Sequence, residues 1–225
     1  MPRTASHHLK RVLVVLHVLT SVGWWGLSLV LLTLISGAVV SDGEIRTSFL
    51  LSANHLDDQV LVPLAETAAY TGFMLSALTR WGYFRFWWVT WKFVLTVASI
   101  VLGVSALGSW LDASLAAARH GGEAPTGNLI IGTVFVLTAL VVSTWLSVAK
   151  PGGRIRQGGR VGREAEPQPD PRLLAVVLVL PFVDHGLGLP GPMTQLLMVI
   201  GYAIYRARRQ RSTPAPPRPS VVTVP

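Results

Sequence analysis

From Arg11 to Val40 the chain reads RVLVVLHVLTSVGWWGLSLVLLTLISGAVV, and no Asp, Glu, Lys or Arg follows Arg11 within it. A bilayer's hydrocarbon core is about 30 Å thick and needs about 20 apolar residues of helix to span it. This stretch is therefore predicted to be a transmembrane helix, bounded by Lys10 and Arg11 before it and by Ser41-Asp42-Gly43 after it. Ser36-Gly37-Ala38 resembles a signal-peptidase site, but the apolar run ahead of it is longer than that of a cleavable signal, so the first helix is read as uncleaved.

Three further runs of spanning length follow, at residues 59–78, 86–109 and 128–149, the last stopped by Lys150-Pro151-Gly152. Composition supports the same reading. Of 225 residues 51% are hydrophobic and 13% charged, with a mean hydropathy of +0.50; a soluble domain carries about 25% charged residues. A water-soluble enzyme is thereby disfavoured. The absence of cysteine excludes disulfides, thiolate metal sites and thiol chemistry. The expected fold class is all-α: a polytopic membrane four-helix bundle over residues 11–150, with a short C-terminal hydrophobic hairpin and a disordered tail.

The excess of 19 Lys and Arg over 11 Asp and Glu follows topology. Arg3, Lys10 and Arg11 precede the first span, Arg80 and Arg85 join the second to the third, and Lys150, Arg154, Arg156, Arg160, Arg163 and Arg172 follow the fourth. The opposite loops hold only Arg46 and Arg119. The positive-inside rule then places both termini in the cytoplasm and the bundle in the cytoplasmic membrane, with residues 1–10 a short cytoplasmic lead. Trp81, Tyr83, Phe84, Phe86, Trp87, Trp88 and Trp91 crowd the entry to the third span, as an interfacial aromatic belt does.

Beyond the fourth span, residues 151–172 read as a basic cytoplasmic linker that touches anionic lipid headgroups. Residues 173–205 contain two short apolar runs broken by Asp-His-Gly-Leu-Gly-Leu-Pro-Gly-Pro, and a single span there would carry Arg206, Arg208, Arg209 and Arg211 to the wrong side. A re-entrant or interfacial hairpin is the expectation. Residues 206–225, basic and then Pro-rich, read as a disordered tail.

Titratable groups inside a bilayer cost several kcal/mol unless they face the bundle and find a partner, so each is a functional lead. Counting from Arg11 and Arg85, His17 and Lys92 both lie about 9 to 10 Å into the membrane. On a helical wheel His17 shares its face with Thr20, Ser21, Trp24 and Ser28, and Lys92 shares its face with Trp88, Thr96, Ser99 and Gly103. Ser143 and Thr144 of the fourth span reach the same level by count. Glu66 sits deeper, about 20 Å from that side, on a stripe with His55, Gln59 and Tyr70, and is expected to bond to Ser99 or Tyr70. His55, Asp57 and Asp58 gather at the outer mouth, where they form a weak candidate metal site.

The segment Leu16-His17-Val18-Leu19-Thr20-Ser21-Val22-Gly23-Trp24-Trp25-Gly26 resembles the opening of a broad group of bacterial four-helix integral membrane proteins. So do Thr71-Gly72, Thr79-Arg80-Trp81-Gly82 and the Trp-x-x-x-Lys entry Trp88-Val89-Thr90-Trp91-Lys92. The group comprises uncharacterised families and, more distantly, the copper-resistance CopD type and the HemJ-type protoporphyrinogen oxidases. The resemblance covers residues 10–150. It implies haem binding, with His17 and Lys92 as the functional pair; Trp24 and Trp88, which share their helix faces, complete the candidate cofactor site.

Three functions compete on this reading: haem or porphyrin binding in membrane redox chemistry through His17 and Lys92, copper transport or handling, and a non-catalytic membrane scaffold. The implied partners are the lipid bilayer, anionic lipids and a second copy in a homo-oligomer. The basic residues border spans and lack a reading module, so no nucleic-acid partner is expected. No hydrolase motif is present, and whether the chain is an enzyme stays open.

Overall fold

The structure, a computed structural model, describes residues 2–79, 81–121, 124–153, 155, 170–188 and 191–212. Every regular element among them is a helix. In chain order these are α1 (Pro2–Val39), α2 (Gly43–Leu78), α3 (Trp87–His120), α4 (Thr126–Ala149), α5 (Pro171–Gly186) and α6 (Met193–Ser212). The first four are long and apolar enough to cross a membrane. The protein is an all-α helical bundle.

α1 begins at Pro2, so the lead read as residues 1–10 is mostly helical; α2 and α3 are also longer than the hydropathy reading, and there the reason is local. The segment 43–58, read as a loop because Asp57 and Asp58 interrupt its apolar run, is the first part of α2. Pro63 has no N–H for the carbonyl four residues back, and its ring crowds that carbonyl. The helix answers with one wide turn over Asp57–Leu61, in which the Val62 N–H donates to the Asp57 carbonyl five residues earlier. In α3 a second wide turn, Gly103–Leu107, carries the helix past residue 109 to His120. The α1–α2 corner is tight, with Gly43 at φ +57 supplying the left-handed backbone that other residues avoid. α6 continues to Ser212, so residues 206–212 are helical rather than tail. Residues 213–225 and most of the basic linker lie outside the described residues.

Side-chain packing runs along the bundle in layers. At one end Leu31, Ile35 and Ala38 of α1 meet Leu50 and Ala53 of α2, Leu111 and Leu115 of α3 and Leu129 of α4. The middle layer joins Trp24, Ala65, Ala68 and Val136, with Leu61 and Leu107 of the two wide turns packed against it. Toward the other end Trp88, Val89 and Leu146 pack under Trp81 and Phe86. The outward surface is apolar: Val18, Leu19 and Val22 of α1 are exposed while Leu13, Thr20 and Trp24 between and around them are buried. That inversion suits a lipid surround, where packing and polar contacts, rather than water exclusion, hold helices together.

Most hydroxyl side chains in the spans bond within their own helix. Thr20 donates to the Leu16 carbonyl at 2.8 Å, Ser28 to Trp24 at 2.8 Å, Ser105 to Val101 at 2.6 Å and Thr133 to Leu129 at 2.8 Å.

α5 and α6 form a helical hairpin on the α1–α2 face. Pro171 opens α5 at a position where its missing N–H is no loss, and the Asp170 carboxylate accepts the Arg172 N–H at 2.9 Å. Leu174 and Val177 of α5 are fully buried against Leu13 of α1 and Tyr70, Met74 and Leu78 of α2, and Leu9 and Tyr202 pack at the edge of the same cluster. The open end of the hairpin therefore lies at the end of the bundle where α1 begins.

Candidate functional site

His17 is clamped between α1 and α2. Its Nδ1 lies 3.0 Å from the Ala68 carbonyl oxygen and 3.1 Å from Thr71 Oγ1. A carbonyl can only accept, so Nδ1 carries the hydrogen and donates. The Thr71 hydroxyl gives its own hydrogen to the Thr67 carbonyl at 2.7 Å, which leaves its oxygen free to accept from the ring. The neutral imidazole then has its lone pair on Nε2, fixed in direction by the bond on the opposite nitrogen. Gly72 makes this possible: a β-carbon there would stand 2.9 Å from His17 Cε1. Ala68 and Gly72, small residues one turn apart, let the ring lie against the α2 backbone.

Lys92 turns the other way. Its Nζ donates to Ser147 Oγ of α4 at 2.6 Å, and Ser147 passes its hydrogen to the Ser143 carbonyl at 2.9 Å. The sequence count pointed to Ser143 and Thr144; the partner is one turn nearer the end of α4, because the long lysine stem carries the ammonium back toward the bundle end. The Lys92 charge acts on the His17 ring, but the two side chains are not hydrogen-bonded to each other. They share a charge field, and each has its own anchor.

Trp24 and Trp88 are buried at 4% and 9% exposure but belong to different layers, Trp24 with Ala65 and Val136, Trp88 with Val89 and Leu146. The four residues expected around one cofactor are thus not gathered around one centre. Trp88 stacks edge-on against Trp81, ring centroids 5.1 Å apart, as part of the aromatic layer.

The expectation for Glu66 is corrected. Ser99 Oγ and Tyr70 Oη are buried without a hydrogen-bond partner, so neither bonds to Glu66. Tyr70 packs instead against Leu174 and Val177 of α5.

At the far end, His55 and Asp58 are exposed and Asp57 is half-buried at the start of the wide turn of α2. Asp112 of α3 accepts from Asn54 Nδ2 at 2.9 Å. Among the described residues no three His, Cys, Asp or Glu side chains gather in a way that could hold a metal ion, so His55, Asp57 and Asp58 do not form the expected cluster. Neighbours on one helical turn splay around the axis rather than converging.

Several residues escaped the sequence reading. Asp184, assigned to a connecting loop, is the last buried residue of α5 at 4% exposure. It accepts the Thr194 N–H on Oδ1 at 3.0 Å and the Gln195 N–H on Oδ2 at 3.2 Å, capping the start of α6 from another helix. Burial opposes its charge, but hydrogen bonds from the side chains and backbone N–H groups of Thr194 and Gln195 outweigh burial and hold the carboxyl below the ordinary carboxylate value. A cap from ten residues away has no local signature. Gly72 and Ser147 had weak ones, a glycine and a serine inside apolar helices.

Comparison with protein-family models, with curated proteins and with solved structures finds no match to this chain.

Proposed function

We propose that the chain is a multi-pass protein of the cytoplasmic membrane, with both termini cytoplasmic, that binds a haem or related porphyrin through His17 in membrane redox chemistry. The observation that carries this reading is the Nδ1 donation of His17 to the Ala68 carbonyl. A ligating histidine characteristically donates its other ring N–H to a carbonyl or carboxylate, which fixes the tautomer and orients the lone pair. The residues would supply one imidazole: Nε2 makes no hydrogen bond among the described residues, and Gly72 gives the ring its seat. No other histidine lies on α1, α3 or α4 at this depth, and His55 on α2 is exposed at the far end. His17 would supply the ligating imidazole, and Lys92, held by Ser147, would meet a propionate or substrate carboxylate. When bound, the porphyrin would supply the redox chemistry; the chain's part is to orient the imidazole and exclude water.

The orientation rests on the bundle end shared by the start of α1, the α2–α3 connection, the end of α4 and the open end of the hairpin, which is where the cations cluster. A copper route through His55, Asp57 and Asp58 has less behind it, since those groups do not converge.

The test is the absorption spectrum of full-length protein purified in detergent from haem-replete cells. A Soret band is expected in the wild type and not in His17→Ala, with Lys92→Met retaining a weakened or shifted band. Colourless wild-type protein under those conditions overturns the reading.

A further inference from the structure

The turn of the α5–α6 hairpin satisfies its own backbone donors. The N–H groups of a helix's first turn have no partner within the helix and ordinarily take one from water or from a cap. At the start of α6 the chain accounts for each of them. Pro192 has no N–H, Met193 donates to the Gly191 carbonyl at 2.9 Å, and Thr194 and Gln195 donate to the Asp184 carboxylate at 3.0 and 3.2 Å. Leu196 then makes the first ordinary helical bond, to the Pro192 carbonyl at 2.9 Å. At the close of α5 the Leu187 and Gly188 N–H groups donate to the Val183 and His185 carbonyls at 3.0 and 3.2 Å. Hydrocarbon demands this of any backbone that enters it, because no water is there to bond.

The hairpin also has the dimensions and the surface of a half-bilayer element. Asp184 is twelve residues from Arg172, and Thr194 is twelve from Arg206. Each arm therefore runs about 18 Å from its charged end to the cap, a little over half of a hydrocarbon core about 30 Å thick. Between Leu173 and Tyr205 there is no Lys, Arg or Glu; Asp184 is buried, and His185 is exposed at the turn. Phe182, Leu187, Met193, Leu196, Leu197 and Ile200 are each at least 50% exposed. On the inner side Leu174 and Val177 pack on Tyr70 and Met74 of α2. Tyr70 lies eight residues inside the end of that span at Leu78, about 12 Å along its axis, too deep for a hairpin lying on the membrane surface to cover. The charge of Asp184 acts on Glu66, one further turn in, so the cap belongs to the deep end of the hairpin.

We propose that the α5–α6 hairpin is re-entrant: it enters the bilayer beside α1 and α2, turns within the hydrocarbon between Gly186 and Met193, and returns to the side it came from, its outer face covered by lipid acyl chains. Asp184 permits this by taking up two donors at the deepest point. Its own charge is answered by those bonds and by the positive end of the α6 dipole, equivalent to roughly half a charge. The placement rests on the chain's being a membrane protein, and on neither its sidedness nor the His17 seat.

The absence of cysteine makes the test direct, since a single introduced thiol is the only one in the chain. Val176→Cys, Val179→Cys, Leu187→Cys, Leu197→Cys and Ile204→Cys, all at exposed positions, are spin-labelled and reconstituted as full-length protein in phosphatidylcholine vesicles. Accessibility to oxygen, which concentrates in hydrocarbon, relative to a water-soluble nickel chelate reads the depth of each label. The ratio should climb from Val176 to Leu187 and fall from Leu197 to Ile204, differing several-fold between turn and ends. Each position is read independently, so a variant that does not fold leaves the others to decide. In sealed membrane vesicles an impermeant maleimide should modify Arg172→Cys and Arg208→Cys from the same side. A low ratio at every position would put the hairpin on the surface, and modification from opposite sides would make it a fifth span. Labels at Leu187 and Leu197 shielded from both oxygen and chelate would mean that protein, such as a second copy, covers the face. Each of these outcomes overturns the proposal, and none of the readouts uses a haem band.

Discussion

Gly72 and His17 are in contact such that a β-carbon on the one would stand 2.9 Å from Cε1 of the other. The glycine is therefore a spatial requirement of the imidazole's position. Gly72→Ala should push the ring off the α2 backbone and weaken the bond to Ala68. Overpacking of this kind costs about 1–3 kcal/mol, and the loss should appear both as a lower Tm and as a diminished Soret band. Gly26→Ala, where nothing lies within 4 Å of the added carbon, is the matched control and should change neither.

The Lys92–Ser147 bond joins α3 to α4. Bonds between membrane helices are worth about 0.6–2 kcal/mol, so Ser147→Ala should lower stability by about 1 kcal/mol. A double-mutant cycle of Ser147→Ala with Lys92→Met should return a coupling of about 0.5–2 kcal/mol. Strict additivity would show that the ammonium finds headgroups or water equally well without the serine.

Asp184 gives the hairpin a pH dependence of definite sign. Its folded pKa lies below the ordinary 3.8. The charged carboxylate thus stabilises the docked hairpin above that value, and the contribution is lost as pH falls through the lower, folded pKa. Amide exchange at Thr194 and Gln195 should accelerate, relative to the α1–α4 core, only below pH 3.8. Asp184→Ala should expose the hairpin turn to protease at neutral pH, with a loss of about 0.5–2 kcal/mol typical of a deleted helix cap. An unchanged cleavage rate would show that apolar packing of Leu174 and Val177 holds the hairpin unaided.

Gly132 of α4 faces the wide turn of α3, where a β-carbon would come within 2.6 Å of Leu107 Cδ2. Gly132→Ala should destabilise the bundle by about 1–3 kcal/mol. Adding Leu107→Ala should recover part of that loss, since the clash is with the far end of a flexible side chain. Calorimetric or fluorescence-detected melting of the two single variants and the double variant measures the recovery.

The apolar runs made the four long helices legible, and the break at Asp184–Pro192 made the hairpin legible as two short elements. Helix length was not: Asp57, Asp58, Asp112 and Arg119 look like loop residues by composition, yet their helices extend beyond the stretch that apolar length defines. That the Lys92 charge reaches His17 was foreshadowed by counting, because rise per residue is constant. Their partners were not, because Ala68 contributes a backbone carbonyl, which every residue has, and Ser147 is reached by a flexible stem. The Glu66 neighbourhood was misjudged for a different reason. The charge that acts on it, that of Asp184, comes from α5, which the four-span count kept outside the bundle.

The hydroxyls that bond back to carbonyls one turn behind them have a consequence for biogenesis. A threonine or serine so satisfied presents hydrocarbon, not an open donor, to its surroundings, and the carrier helix can enter lipid singly before its neighbours are made. Assembly then docks finished cylinders. Only a few side chains, His17, Lys92, Asn54 and Asp184 among them, must wait for a partner from elsewhere in the chain, and these set the order in which the cylinders close.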